Sequence, residues 1–309
     1  MSEVTEAAGG LISIIIPAYN SDEKIENCLQ SIITQSYERK ELVIVDGGSS
    51  DSTVKIITHY AALHAFIRYV SERDKGIYDA MNKGIELAKG DWMLFLGSDD
   101  VLHDKNVLSN FNELVRETKA RFVYGNVRLV GDSLMGTDGS VYDGVFSVKK
   151  LFEKNISHQA IFYSRYVFQE IGQFTIRYST CADWDFNHRC FAKYETQHID
   201  LIVSKFVTGG LSSLKGADLY TEDECIFRLK EYYRISFYNN LFKSYCWVFA
   251  HHANKEYSRK HFGKSFYYFF FYFKHSCNKT VILKILLKNL FIRIRNQTKR
   301  IYNKNMYFL

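Results

Sequence analysis

Four acids sit where a chain of this pattern could do chemistry: Asp46, the adjacent pair Asp99 and Asp100, and Asp183. Asp46 opens the segment VDGGSSDST, where Gly47 and Gly48 permit close backbone approach and Ser49 follows. A carboxylate emerging from a buried strand can accept hydrogen bonds from a ribose hydroxyl or a base N–H. Asp99 and Asp100 end GDWMLFLGSDD, an apolar run closed by Gly97 and Ser98. Two adjacent carboxylates at the edge of a buried strand repel each other and resist burial. A hard cation such as Mg²⁺ or Mn²⁺ relieves that repulsion and can bridge to diphosphate oxygens. A further segment, PAYNSDEKI, holds Pro17, the sole proline, with Tyr19, Asn20 and Glu23.

These residues need a frame that presents them together. LISIII (11–16), ELVIVD (41–46), AFIRYV (65–70) and DWMLFL (91–96) are short runs rich in Ile, Val, Leu and aromatics, of the kind that suits buried parallel strands. Helical patterns over 22–35, 51–64 and 77–88 separate them. Such alternation predicts an α/β, Rossmann-like, mostly parallel sheet flanked by helices. Ligands of such sheets lie beyond the carboxyl ends of the strands, where the acids fall. Asn20 or Ser21 is expected to cap the first helix, and Ser50 or Asp51 the second. RFVYGNVRLV predicts a further strand, and short helices are expected near 148–153 and 182–193.

The chain has 309 residues, 47% hydrophobic and 24% charged, enough for a sizeable core. Its net charge of +6 hides a division. Residues 255–309 hold thirteen Lys or Arg against Glu256 alone, so the remainder carries a balance of −6. No secretory signal is visible in MSEVTEAAGG. The six cysteines show no CxxC pair and no metal-ligand spacing, and we read them as reduced thiols in a cytoplasmic protein.

Three motifs in this order resemble the family 2 inverting glycosyltransferases with the GT-A fold: Pro17, Tyr19, Asn20 and Glu23; then Asp46, Gly48, Ser49, Asp51 and Thr53; then Asp99 and Asp100. The likeness covers roughly residues 11 to 215. It implies a GT-A domain over 1–215, with a nucleotide-binding half at about 11–130 and an acceptor half at about 131–215. It further implies that Pro17, Tyr19 and Glu23 line a nucleotide pocket, that Asp46 holds base or ribose, and that Asp99 takes the metal position. Gly97 replaces an acid usual in the family, so Asp100 is expected to join Asp99. Asp74, Gly76, Tyr78, Asp79 and Asn82 match a version found in polysaccharide-assembly members, with Asp79, Asn82 and Lys83 placed to face donor sugar or phosphates.

Inverting transfer by single displacement needs a base for the acceptor hydroxyl and positive charge on the departing diphosphate. The segment ADWDFNHRCF resembles the family's acidic motif, with Asp183 at the base position and Ala182 in place of the preceding acid. Trp184 and Asp185 are further candidates beside it. His158 and Gln159 are expected near the acceptor cleft, and Gly209 and Gly210 in a loop able to close over the diphosphate. The reading is thus transfer of a sugar, expected from a UDP-sugar, to a saccharide or polyprenyl-linked acceptor. A catalytically weak homologue that binds donor or lipid carrier is the alternative, kept open by Gly97 and Ala182.

Residues 216–309 are read as a helical, basic, aromatic extension. In VILKILLKNLFIRIRNQTK, leucines and isoleucines occupy one helical face and Lys284, Lys288, Arg295 and Lys299 another. Such a helix is expected to lie on an anionic membrane surface, each basic residue contributing about 1 kcal/mol. No nucleic-acid motif accompanies the charge.

Overall fold

A computed structural model of the chain describes residues 10–132, 136–207, 225–236, 240–258 and 262–275. The chain divides into two compact units, Met1–Arg234 and Ile235–Leu309. The boundary expected near residue 215 lies outside the described residues.

The first unit is built on a nine-stranded sheet. Strands β1 (Ile12–Ala18), β2 (Lys40–Asp46), β3 (Ile67–Ser71) and β4 (Trp92–Phe95) pair in parallel in the order β3-β2-β1-β4. All seven residues of β1 and of β2 are buried, which is why residues 14–16 and 42–45 are apolar without alternation. Between them run α1 (Ile25–Ile33), α2 (Thr53–Leu63) and α3 (Ile77–Leu87). The chain proceeds outward from β1 to β3, then α3 carries it back to β4 on the other side of β1. The strand order therefore reverses between β1 and β4, and a crevice opens there beyond the strand ends.

The rest of the sheet is mixed. β5 (Val101–Leu102), β6 (Phe122–Val130), β7 (Val141–Tyr142), β8 (Ile161–Ser164) and β9 (Thr196–Val207) extend it in the order β4-β8-β6-β9-β5, with β7 paired to β6. α4 (Val107–Leu114), α5 (Val148–Glu153), α6 (Arg165–Ile171), α7 (Ala182–Lys193) and α8 (Cys225–Tyr232) complete the unit. On one face lies an aliphatic core that includes Ile14, Leu42, Ile44 and Leu94. Elsewhere Phe95, Tyr163, Phe168, Phe174 and Phe186 pack ring against ring at centroid separations from 4.9 to 6.0 Å.

Helix–sheet contact is closest at Gly84, where an added Cβ would fall 2.3 Å from Cγ2 of the fully buried Ile15. Overpacking outweighs the gain in helix propensity there. Gly84→Ala is expected to destabilise the fold by about 1–3 kcal/mol, read from the urea midpoint.

The helix starts correct the sequence reading. α1 begins at Ile25 rather than Asp22, and neither Asn20 nor Ser21 caps it. Asn20 adopts φ 46°, and its Oδ1 accepts the Ser50 N–H at 2.9 Å. Asp22 accepts the Ser52 N–H at 3.2 Å, and the Ser21 N–H donates to Thr53 Oγ1 at 2.7 Å. The polar residues expected to cap their own helix instead tie the β1–α1 and β2–α2 turns to each other. Likewise α2 starts at Thr53, whose N–H donates to Asp51 Oδ1 at 3.0 Å.

In the second unit α9 (Phe242–Ser258) packs on α10 (Phe262–His275). Phe249, Ala253 and Tyr268 are buried, and Ser265 Oγ donates to the Ala253 carbonyl at 2.8 Å. Phe266, Tyr267 and Phe270 stand exposed on α10. Among the described residues no helix is long and apolar enough to cross a membrane. The basic amphipathic segment 281–299 lies outside the described residues.

Candidate active site

A cleft of about 1160 Å³ opens at the switch point of the first unit. One wall carries Pro17, Tyr19, Asn20 and Glu23 from the turn after β1, with Gly48 and Ser50 from the turn after β2. The floor holds Ser98, Asp99 and Asp100 after β4, and Asp79 on α3. His158, Gln159 and Asp183 line the cleft as well, Gln159 in direct contact with Asp100. Many of the residues singled out from sequence thus meet in one cavity, drawn from segments far apart in the chain.

Tyr19 is 64% exposed, so its ring is open to stacking by a flat ligand. Asp46 is fully buried and does not line the cleft. Its Oδ2 accepts the N–H groups of Gly48 and Ser49, each at 3.0 Å, and the Ser71 hydroxyl at 2.7 Å. Its Oδ1 accepts the Ser49 hydroxyl. The carboxylate and Ser49 are therefore committed to shaping the glycine turn, which places Gly47 and Gly48 on the wall. A Cβ at Gly47 would come 2.4 Å from Asp74 Oδ2 and push that side chain aside.

The two acids after β4 are in unlike settings. The Asp99 side chain is one-third exposed and faces the Lys24 ammonium at 3.7 Å. Asp100 is buried, and its Oδ2 accepts the Gly97 N–H at 2.9 Å and the Gln159 side-chain amide at 2.8 Å. Burial pushes the Asp100 carboxyl up to about 6, and the Asp99 charge adds to the rise. His158, the Gln159 hydrogen bond and the Gly97 N–H offset part of it. A Cβ at Gly97 would fall 2.8 Å from Asp100 Oδ2 and 3.0 Å from Asp99 Oδ1. The pair thus closes over Gly97 and fills the space a side chain would need there.

Among the described residues no group of three or more His, Cys, Asp or Glu forms a ready-made cation cage. Two adjacent acids whose repulsion is only partly offset nonetheless suit a hard divalent ion that takes its other ligands from substrate phosphates and water.

Asp183 is buried in the first turn of α7. The Tyr78 hydroxyl reaches its Oδ1 at 2.7 Å, and Asn155 Nδ2 donates to its Oδ2 at 3.0 Å. His158 Nδ1 stands 3.6 Å from Oδ2, while its buried Nε2 has no hydrogen-bond partner among the described residues. Lining also comes from Arg73 and Lys75 in the β3–α3 loop and from Tyr178 and Thr180 before α7. Sequence reading missed Arg73, Lys75 and Asn155 as site residues. A basic pair following a strand end was the available signal for the first two; nothing local distinguishes Asn155.

Three expected contacts serve the scaffold. Asn82 clamps Phe174, giving Nδ2 to its carbonyl at 2.9 Å and accepting its N–H at 3.0 Å. Asp185 is fully buried, paired with Arg189 at 3.1 Å and accepting the Tyr232 hydroxyl at 2.7 Å. Trp184 donates Nε1 to the Leu151 carbonyl at 2.8 Å. None of the three lines the cleft. Gly209 and Gly210 lie outside the described residues.

One turn along α7, His188 is buried with Nδ1 3.0 Å from the Tyr233 hydroxyl. Burial pushes its pKa down to about 3. As pH falls below 6.5 the unfolded chain takes up the proton first, so stability is lost between 6.5 and about 3. Between pH 7.5 and 5.5 the native protein is expected to lose about 1 kcal/mol more than His188→Phe, from paired urea titrations.

A mostly parallel sheet flanked by helices is the architecture of the GT-A class of glycosyltransferases. Solved structures share that fold. The Staphylococcus aureus TarS fragment 1–349 in complex with UDP-GlcNAc is similar at a TM-score of 0.61 and 17% identity, covering 80% of this chain and 72% of that one. The mannosyltransferase PcManGT from Pyrobaculum calidifontis, in complex with GDP-Man and Mn²⁺, is similar at 0.56 and 13% identity, covering 92% and 81%. Residues 13–181 match glycosyl transferase family 2, and the chain belongs to that family. A PGL/p-HBAD biosynthesis glycosyltransferase of Mycobacterium bovis is 40% identical over 212 residues, 67% of this chain and 80% of that protein. Chondroitin synthase of Escherichia coli is 27% identical over 214 residues, covering 69% of this chain and 31% of the synthase. The protein is a glycosyltransferase.

Proposed function

We propose that the chain transfers a sugar with inversion from a UDP-sugar to a saccharide or lipid-linked saccharide during surface polysaccharide assembly. The observation that carries this reading is that Asp99, Asp100 and Asp183 line one cleft. Tyr19 offers the base a ring to stack on, and the Gly47–Gly48 turn offers close backbone approach. Asp99, helped by Asp100, would hold Mg²⁺ or Mn²⁺, which supplies positive charge to the leaving diphosphate. Arg73, Lys75 and Lys24 line the cleft and add cationic charge. Asp183 takes the proton of the attacking hydroxyl. The UDP-bound fold neighbour and the glycan-synthesis relatives support donor and setting.

The catalytically weak alternative rested on Gly97 and Ala182. Ala182 is fully buried, so an acid there would carry a desolvation cost, and Asp99 with Asp100 fills the space over Gly97. Both departures are accommodated by packing, which favours the active reading. A panel of UDP- and GDP-sugars assayed for nucleoside diphosphate release, with Mg²⁺, Mn²⁺ or EDTA, tests it. Metal-dependent release with at least one donor is expected. Tight donor binding without turnover, with any acceptor offered, would favour the assembly-partner reading instead.

We further read the second unit as a peripheral contact with an anionic membrane at its cytoplasmic face. The exposed Phe266, Tyr267 and Phe270 beside a basic sequence support this. Sedimentation with phosphatidylglycerol vesicles, but not with phosphatidylcholine vesicles, is the expected result.

A further inference from the structure

The surroundings of Asp183 carry more than its identity as an acid. Its Oδ1 accepts two hydrogen bonds, from the Tyr78 hydroxyl at 2.7 Å and the Trp184 N–H at 2.9 Å. Two donors use both lone pairs of that oxygen. The Tyr78 hydroxyl also lies 3.0 Å from the Thr180 carbonyl, but the shorter contact is to the charged acceptor and is the stronger. Burial and the Asp183 charge push the Tyr78 hydroxyl up, so it keeps its proton and acts as a donor.

Oδ2 is different. Among the described residues it has one donor, Asn155 Nδ2 at 3.0 Å, with His158 Nδ1 beyond hydrogen-bond reach at 3.6 Å. Behind Asn155 runs a buried chain. Asn187 Nδ2 donates to Asn155 Oδ1 at 2.8 Å, and the Tyr163 hydroxyl donates to Asn187 Oδ1 at 2.8 Å. The carboxylate fixes the direction of every link. It can only accept, so Asn155 must turn its amide nitrogen to Asp183 and its oxygen to Asn187. Asn187 must then turn its nitrogen to Asn155, which leaves its oxygen for Tyr163. Asn187 and Tyr163 are fully buried, so this orientation is locked by packing.

We infer that Tyr78 and the Asn155–Asn187–Tyr163 chain hold Asp183 so that its Oδ2 receives the acceptor proton, making Tyr78 and Asn155 positioning residues for transfer. This rests on the reading of Asp183 as the base. In the step itself the acceptor hydroxyl oxygen bonds to the anomeric carbon. The anomeric bond to the diphosphate breaks, its electron pair leaving with the nucleoside diphosphate, and the hydroxyl proton passes to Asp183 Oδ2.

A double-mutant cycle on the full chain tests the inference, using the sugar donor returned by the panel for turnover and UDP with Mn²⁺ as the calorimetric probe. Asn155→Ala and Tyr78→Phe are each expected to lower kcat about 10- to 100-fold, with donor KM and UDP affinity unchanged. In the Asp183→Asn background each is expected to cost less than about 3-fold, because the group through which they act is gone. Equal losses in both backgrounds, or no loss in the native background, would overturn the positioning role. Native kcat in Asp183→Asn alone would instead overturn the base reading. Thermal midpoints accompany each variant; should Asn155→Ala fail to fold, the near-isosteric Tyr78→Phe completes the same cycle.

Discussion

Asp183→Asn is expected to lower kcat for sugar transfer by about 10²- to 10⁴-fold, the range that a positioned general base contributes. Donor affinity should stay within about 3-fold, because the residue's own contacts are to protein. The amide keeps the size of the carboxylate, so the loss is chemical. It also places one NH₂ group against donors from Tyr78, Trp184 or Asn155, and a modest fall in thermal midpoint should accompany it. Steady-state transfer kinetics beside calorimetry with UDP and Mn²⁺ separate the two effects. A kcat within about 3-fold of native would remove Asp183 from the mechanism.

Asp99→Ala should be the second large effect, acting on a different quantity. Asp99 is the more exposed of the pair, and its described charge partner is Lys24 at 3.7 Å, so it is free to take a cation when the donor enters. Its removal is expected to lower metal-dependent nucleoside diphosphate release about 10²- to 10³-fold, comparable to losing a group that stabilises transition-state charge. The Mn²⁺ concentration for half-maximal rate should rise at least about 10-fold. Stability should change little, since the side chain is one-third open to solvent. Asp100→Ala should behave otherwise, losing stability as well as rate. Its carboxylate is buried and holds the Gly97 N–H and the Gln159 amide, both of which would lose their acceptor. A titration of rate against Mn²⁺, paired with urea midpoints, distinguishes the two acids.

Much of this was legible in the sequence because parallel sheets write themselves plainly. The stretches at 14–16 and 42–45 are apolar at every position since both faces of β1 and β2 are covered. The acids that follow such runs must then lie at the strand ends, where this fold binds ligands. What sequence could not give was the division of labour among polar residues. Asp46 and Asp99 look alike as strand-end acids, yet Asp46 is consumed by four hydrogen bonds within its turn while Asp99 faces the cleft. Asn20 reads as a helix cap but bridges to Ser50 across two turns. Asn155 has no local signature at all, because its role comes from partners at 183 and 187 brought near by the packing of α7. Long-range hydrogen bonds of this kind carry no periodicity, and only the folded chain reveals them.

The central claim is inverting transfer from a nucleotide-diphosphate sugar, and the anomeric configuration of the product tests it most directly. Proton NMR of the transfer reaction, run with the donor and acceptor found in the panel, should show the new glycosidic linkage with configuration opposite to that of the donor, formed together with free nucleoside diphosphate. Retained configuration, or transfer with no nucleoside diphosphate released, would contradict the account.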